Sequence, residues 1–99
     1  MKTLYLPLKR EYFEAIKSGK KLEEYRLYNA YWRRRIEGKE FDRLVLTLGY
    51  PSRDDSSRHI VRPWLGYKIK MIDNYLGSNV SVKVFVIEVI RREYNVHDL

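Results

Sequence analysis

The sequence predicts a mixed α+β fold: a small, highly twisted or barrel-like sheet of about five strands with two short helices. Three observations carry this. Apolar residues recur with period two in several separate stretches, the pattern of strands with at least one buried face. Two other stretches space their apolar residues as one face of a helix does, and Gly19 and Gly38 close them. The 99 residues, 44% hydrophobic and 14% aromatic, suffice for one domain (1–99) with one modest core and argue against disorder.

Lys2 to Leu8 reads as the first strand, with Leu4, Leu6 and Leu8 alternating against Thr3, Tyr5 and Pro7. Pro7 lacks an N–H for the ladder, so it marks a strand end or an edge. Arg10 to Ser18 is the first helix, its face made by Tyr12, Phe13 and Ile16; Gly19 then supplies the left-handed residue after it. From Lys21 to Leu27 the period becomes two, placing Leu22, Glu24 and Arg26 on one face and Lys21, Glu23, Tyr25 and Leu27 on the other. Asn29 caps a second helix, Ala30 to Glu37, anchored by Trp32 and Ile36, with Arg33, Arg34 and Arg35 fanned over its other sides.

Phe41 to Tyr50 is the most central strand by its run Leu44-Val45-Leu46-Thr47-Leu48, and residues 50–58 form a loop. Arg58 to Ile72 is long for one strand, and Pro63 bends or splits it. Beyond the bend Leu65, Tyr67, Ile69 and Met71 oppose Trp64, Gly66, Lys68 and Lys70. After a turn at residues 73–79, Val80 to Arg91 forms the last strand. Val80, Val82, Val84 and Val86 lie on one face and Phe85, Ile87 and Val89 on the other, which implies a central position. Glu93 to Leu99 is expected to be a loosely held tail.

The net charge of +7, from 20 Lys and Arg against 13 Asp and Glu, favours polyanions: nucleic acid first, anionic lipid second. Solubility alone also accounts for such a charge. Nine Tyr and two Trp among the cations weigh toward nucleic acid, because flat rings stack on unpaired bases. With no cysteine there is no disulfide framework, thiolate metal site or thiol nucleophile. His59 and His97 are the only histidines, and no G-x-S-x-G, Walker loop or H-E-x-x-H occurs. Asp54-Asp55 lacks a further carboxylate at ligand spacing and reads as a solvated hairpin tip. No cofactor and no metal are expected. No apolar run reaches membrane-span length and the start is too short and polar for a signal peptide, so a cytoplasmic monomer without membrane attachment is expected.

One stretch has a functional reading beside its structural one. Glu24 and Arg26 share a strand face, roughly 6.5–7 Å apart along the chain. If that face is solvated, they are an ordinary surface ion pair. If it faces the interior, each charge must be paired or bound to a ligand. A carboxylate can accept N–H bonds from a base edge and a guanidinium can donate in bidentate fashion, so the two together can read one nucleobase or nucleotide.

Gly19, Lys21, Glu24 and Arg26, after a helix that carries an aromatic, resemble the G-x-K-x-x-E-x-R signature of the ASCH family of PUA-like domains. All four fixed positions are filled, and Tyr12-Phe13-x-x-Ile16-x-x-Gly19 resembles the family's first helix. The resemblance implies a PUA-like β-barrel and a cleft, lined by the signature residues, that holds single-stranded RNA or a nucleotide. It makes Gly19, Lys21, Glu24 and Arg26 ligand-binding candidates. Tyr25 and Trp64 are stacking candidates, each with a strong alternative reading as core. Arg33, Arg34, Arg35, Arg62 and Lys68 are candidates for phosphate contacts. The resemblance also offers a hydrolase alternative, acting on RNA or on a modified nucleoside in the manner of N4-acetylcytidine amidohydrolases, with Lys21 and Glu24 as the catalytic pair. In that branch a threonine nucleophile stands where this chain has Glu24; a carboxylate there would have to act as a general base on water instead.

Overall fold

Two strands are apolar on both faces, and each becomes the centre of a sheet. The computed structural model describes residues 1–90. Its strands are β1 (Thr3–Leu8), β2 (Glu23–Leu27), β3 (Arg43–Leu48), β4 (His59–Pro63), β5 (Tyr67–Ile72) and β6 (Val82–Glu88); its α-helices are α1 (Arg10–Lys17) and α2 (Ala30–Ile36). Single 3-10 turns lie at Ser56–Arg58 and Tyr75–Gly77. The sheet orders are β1-β3-β4 and β2-β6-β5. β1 runs parallel to β3, with Leu4 opposite Leu44 and Leu6 opposite Leu46. The other pairings are antiparallel. Pro7 lies on β1, an edge strand, where a missing N–H is tolerated.

The mixed α+β class holds: among the described residues the ladders form two three-stranded sheets, and no closed barrel is detected. The expected strands, about five, become six because the Arg58–Ile72 run divides. Pro63 ends β4, Gly66 adopts φ +79°, and the chain crosses to the second sheet as β5.

The core lies between the sheets. Leu4, Leu6, Leu44 and Leu46 meet Phe85 and Ile87, and Phe13, Ile16 and Ile36 from the helices close the cluster. Each such side chain contributes roughly 1.5–3 kcal/mol by leaving water. Asn29 caps α2 by accepting the Trp32 amide at 2.9 Å, as its position before the helix predicts. Some expected apolar positions lie outside this core. Tyr12, Leu22, Met71 and Val80 are exposed, Leu22 and Val80 because the strands begin after them. The expected tail, with His97, and the Arg91 end of the last strand lie outside the described residues.

Candidate functional site

Gly19 sets the geometry. At φ +83° it reverses the chain after α1, so that the Lys21 amide donates to the Ala15 carbonyl at 3.0 Å. Lys21 is thereby brought back beside the helix, with its Nζ 4.7 Å from the centre of the Tyr12 ring. β2 then pairs with β6, placing Glu24 opposite Ile87 and Arg26 opposite Phe85. Both partners are fully buried core residues, so Glu24 and Arg26 sit on the core side of the sheet.

Glu24 is the only buried charged residue among the described residues, at 5% exposure. Its Oε1 faces three donors: the Tyr25 amide at 3.0 Å, Arg26 Nη1 at 3.2 Å and Lys21 Nζ at 3.6 Å. Its Oε2 is buried and accepts from no group. Leaving a buried acceptor unsatisfied costs about 1–3 kcal/mol. Arg26 is itself held in place: Nη1 donates to the Tyr25 carbonyl and Nη2 to the Pro7 carbonyl, each at 2.9 Å. Its guanidinium lies 5.2 Å from the centre of the Trp32 ring. Arg26 thus ties β2 to β1 of the other sheet and to α2.

Tyr25 points to the opposite face. It is half-exposed and donates its hydroxyl to Glu23 Oε1 at 3.1 Å. Partial burial, then this hydrogen bond to a carboxylate, raises the phenol above its ordinary value. Trp64 is packed instead. Its ring meets Phe41 edge-on at 4.9 Å and rests against the core, so the core reading describes it.

The five candidate phosphate contacts do not form one track. Arg33 pairs with Glu37 at 3.0 Å, 4.7 Å from the Tyr28 ring. Arg34 is exposed on the same helix, and Arg35 lies over Tyr31 at 4.3 Å. Arg62 is on the core side of β4, opposite Leu44, and donates from Nε to the Val89 carbonyl. Lys68 stands on the outer side of the second sheet, opposite Val86.

Two concavities open at the surface. One, of about 470 Å³, is lined by Lys20, Lys21, Glu23, Tyr25 and Glu88 among others. The second, of about 790 Å³, covers the outer face of β1-β3-β4. Lys21 and Tyr25 reach the first, whereas Glu24 and Arg26 line neither. Among the described residues no three His, Cys, Asp or Glu gather as a metal site, and no helix is long and apolar enough to cross a membrane.

Sequence reasoning missed a second polar cluster, in which Tyr28 donates to Glu37 while Arg33 holds its other oxygen. The i, i+4 spacing of Arg33 and Glu37 was a readable signal. Comparison of the chain with protein-family models, curated proteins and solved structures finds no match.

Proposed function

We propose that the chain is a small ASCH-type, PUA-like module that binds single-stranded RNA or a nucleotide, with the Lys21-Glu24-Arg26 cluster as its reader. The observation that supports this most directly is the unsatisfied Glu24 Oε2. A buried carboxylate oxygen without a donor is rare in a purely structural ion pair, and an exocyclic amine of a base is the kind of donor it lacks; because Glu24 lines neither concavity, this reading requires the cluster to open beside Lys21 when a ligand enters. Lys21 and Tyr25 at the mouth of the smaller concavity supply a phosphate-type cation and a ring beside it. The PUA-like part of the reading rests on the motif and the order of elements, since the sheet is in two halves. A cytoplasmic monomer without membrane attachment belongs to the same reading.

Hydrolysis of RNA or of a modified nucleoside would need Glu24 to activate water. Its Oε1 already faces three donors, which favours binding over turnover.

The test is a titration of wild type, Glu24→Gln and Lys21→Ala with the four nucleoside monophosphates and four homopolymeric RNAs, with folding checked by circular dichroism. Glu24→Gln should lose the preference among bases, and Lys21→Ala should weaken all ligands alike. A folded Glu24→Gln protein with wild-type preference would make the cluster a structural ion pair only.

A further inference from the structure

The outer face of β1-β3-β4 carries a second set of residues that the signature does not touch. The parallel and antiparallel registers align Tyr5, Val45 and Val61 in one row across the three strands. The next row is Pro7, Thr47 and His59. Val45 is buried at 3%, while Tyr5 and Val61, on either side of it, are each more than half exposed. Around this floor stand Arg35, Arg43 and Arg53, with Tyr31 and Tyr50.

The groove residues include no Asp or Glu. Asp55, next to the groove's Ser56, has its carboxylate on Arg58 and Ser57. Arg43 is oriented by one bond, Nε to Thr3 Oγ1 at 3.0 Å, and Arg35 by the Tyr31 ring. Tyr50 is 93% exposed, its ring open to solvent; Tyr31 is 55% exposed, with Arg35 over its ring and Trp32 edge-on against it. His59 Nδ1 lies 2.6 Å from the Asp55 carbonyl, which can only accept, so Nδ1 carries a proton and donates to it.

We propose that this sheet face is a docking surface for a single-stranded nucleic acid, separate from the signature cluster. Three guanidiniums with no opposing carboxylate match a phosphate backbone. Exposed rings on a sheet face and along its rim, here Tyr5 on β1 with Tyr31 of α2 and Tyr50 after β3, are platforms for splayed bases, which a protein or lipid partner would not require. This surface does not depend on the signature reading, and it holds even if Glu24 is purely structural.

The test uses fluorescein-labelled oligo(U) and oligo(dT) on the full chain, with Tyr50→Ala, Arg53→Gln and Lys21→Ala. Tyr50 and Arg53 are exposed, so their variants should keep the fold. Loss of the Tyr50 ring should lower affinity by about tenfold, as for one lost base stack. Arg53→Gln should lower the slope of log affinity against log salt by about one unit. Lys21→Ala reports on the signature cluster, and a mononucleotide titration of the same variants separates the two sites. Photocrosslinking to oligo(U) should place the adduct on Tyr5, Tyr31 or Tyr50. The proposal is overturned if wild type binds neither strand, if Tyr50→Ala and Arg53→Gln both bind as wild type does, or if the adduct maps to Tyr25.

Discussion

Glu24 and Glu37 are both carboxylates held by an arginine and bordered by aromatic rings, yet burial separates what they mean. Glu24 lies under the sheet with Arg26 at 3.2 Å and Lys21 at 3.6 Å, all three side chains largely out of water. Glu37 sits at the end of α2, with Arg33 at 3.0 Å and the Tyr28 hydroxyl on its other oxygen. Both Glu37 oxygens are satisfied; one Glu24 oxygen is not. The surface cluster, in high dielectric, adds little to stability. The buried one exchanges hydration for a few fixed partners, so losing any one of them is felt in full.

The sharpest way to break this contrast is Arg26→Ala. It takes the nearest cation from the buried Glu24, leaving Lys21 at 3.6 Å, and releases the Pro7 and Trp32 contacts, and urea unfolding should show a loss of about 3–5 kcal/mol. A loss under about 1 kcal/mol would mean that Glu24 is not held by Arg26.

Glu24→Gln should cost less, about 1–3 kcal/mol, because the amide keeps the shape and Lys21 can turn to solvent. Combined with Arg26→Leu, it should cost less than the sum of the single changes, a coupling that a double-mutant cycle measures.

Lys21→Ala comes next, at about 1 kcal/mol: its Nζ is the most distant of the three donors on Oε1, and the side chain is the most exposed of the cluster.

Tyr28→Phe is the smallest change and sharpens the surface side of the comparison. The Tyr28 hydrogen bond, followed in effect by Arg33, holds the Glu37 carboxyl below its usual range. The same bond raises the Tyr28 phenol. The stability from this pair is therefore present above the ordinary carboxylate range and lost as pH falls through the lowered Glu37 value. In alkali it is lost again as pH rises through the raised Tyr28 value. NMR titration of the Glu37 side chain should show its midpoint rise in Tyr28→Phe. Wild type and variant should converge in stability in strong acid. An unmoved midpoint would show that Arg33 alone sets it.

The helices and strands were largely legible because their signals are local. Leu4-Leu6-Leu8, Phe13 with Ile16, and Phe85 with Ile87 all face the core that their periodicity implies. Pro63 split the long run where a missing N–H must end a ladder. The division of the strands between two sheets was not legible, since it depends on which edges pair, and no local pattern states that β1 joins β3 across two helices and β2. The same long-range pairing hid the groove: Tyr5, Val45 and Val61 read as unrelated outward residues until the register brings them into one row. At Glu24 and Arg26 the period-two pattern gave the shared face but not its environment; burial came from the pairing with Phe85 and Ile87. Tyr12 failed as a core residue because α1 buries Phe13 and Ile16 and leaves the neighbouring ring to Lys21.

The chain visits the two sheets in alternation. β1 belongs to the first, β2 to the second, β3 and β4 to the first, and β5 and β6 to the second. Neither half can therefore be completed from one contiguous segment, and neither is a unit that could be excised or could melt alone. Unfolding should be all-or-none, with tryptophan fluorescence and backbone dichroism tracing one coincident curve. Refolding should be slow for so short a chain, because the β1–β3 ladder waits on closure of a loop that already contains two helices and a strand of the other sheet.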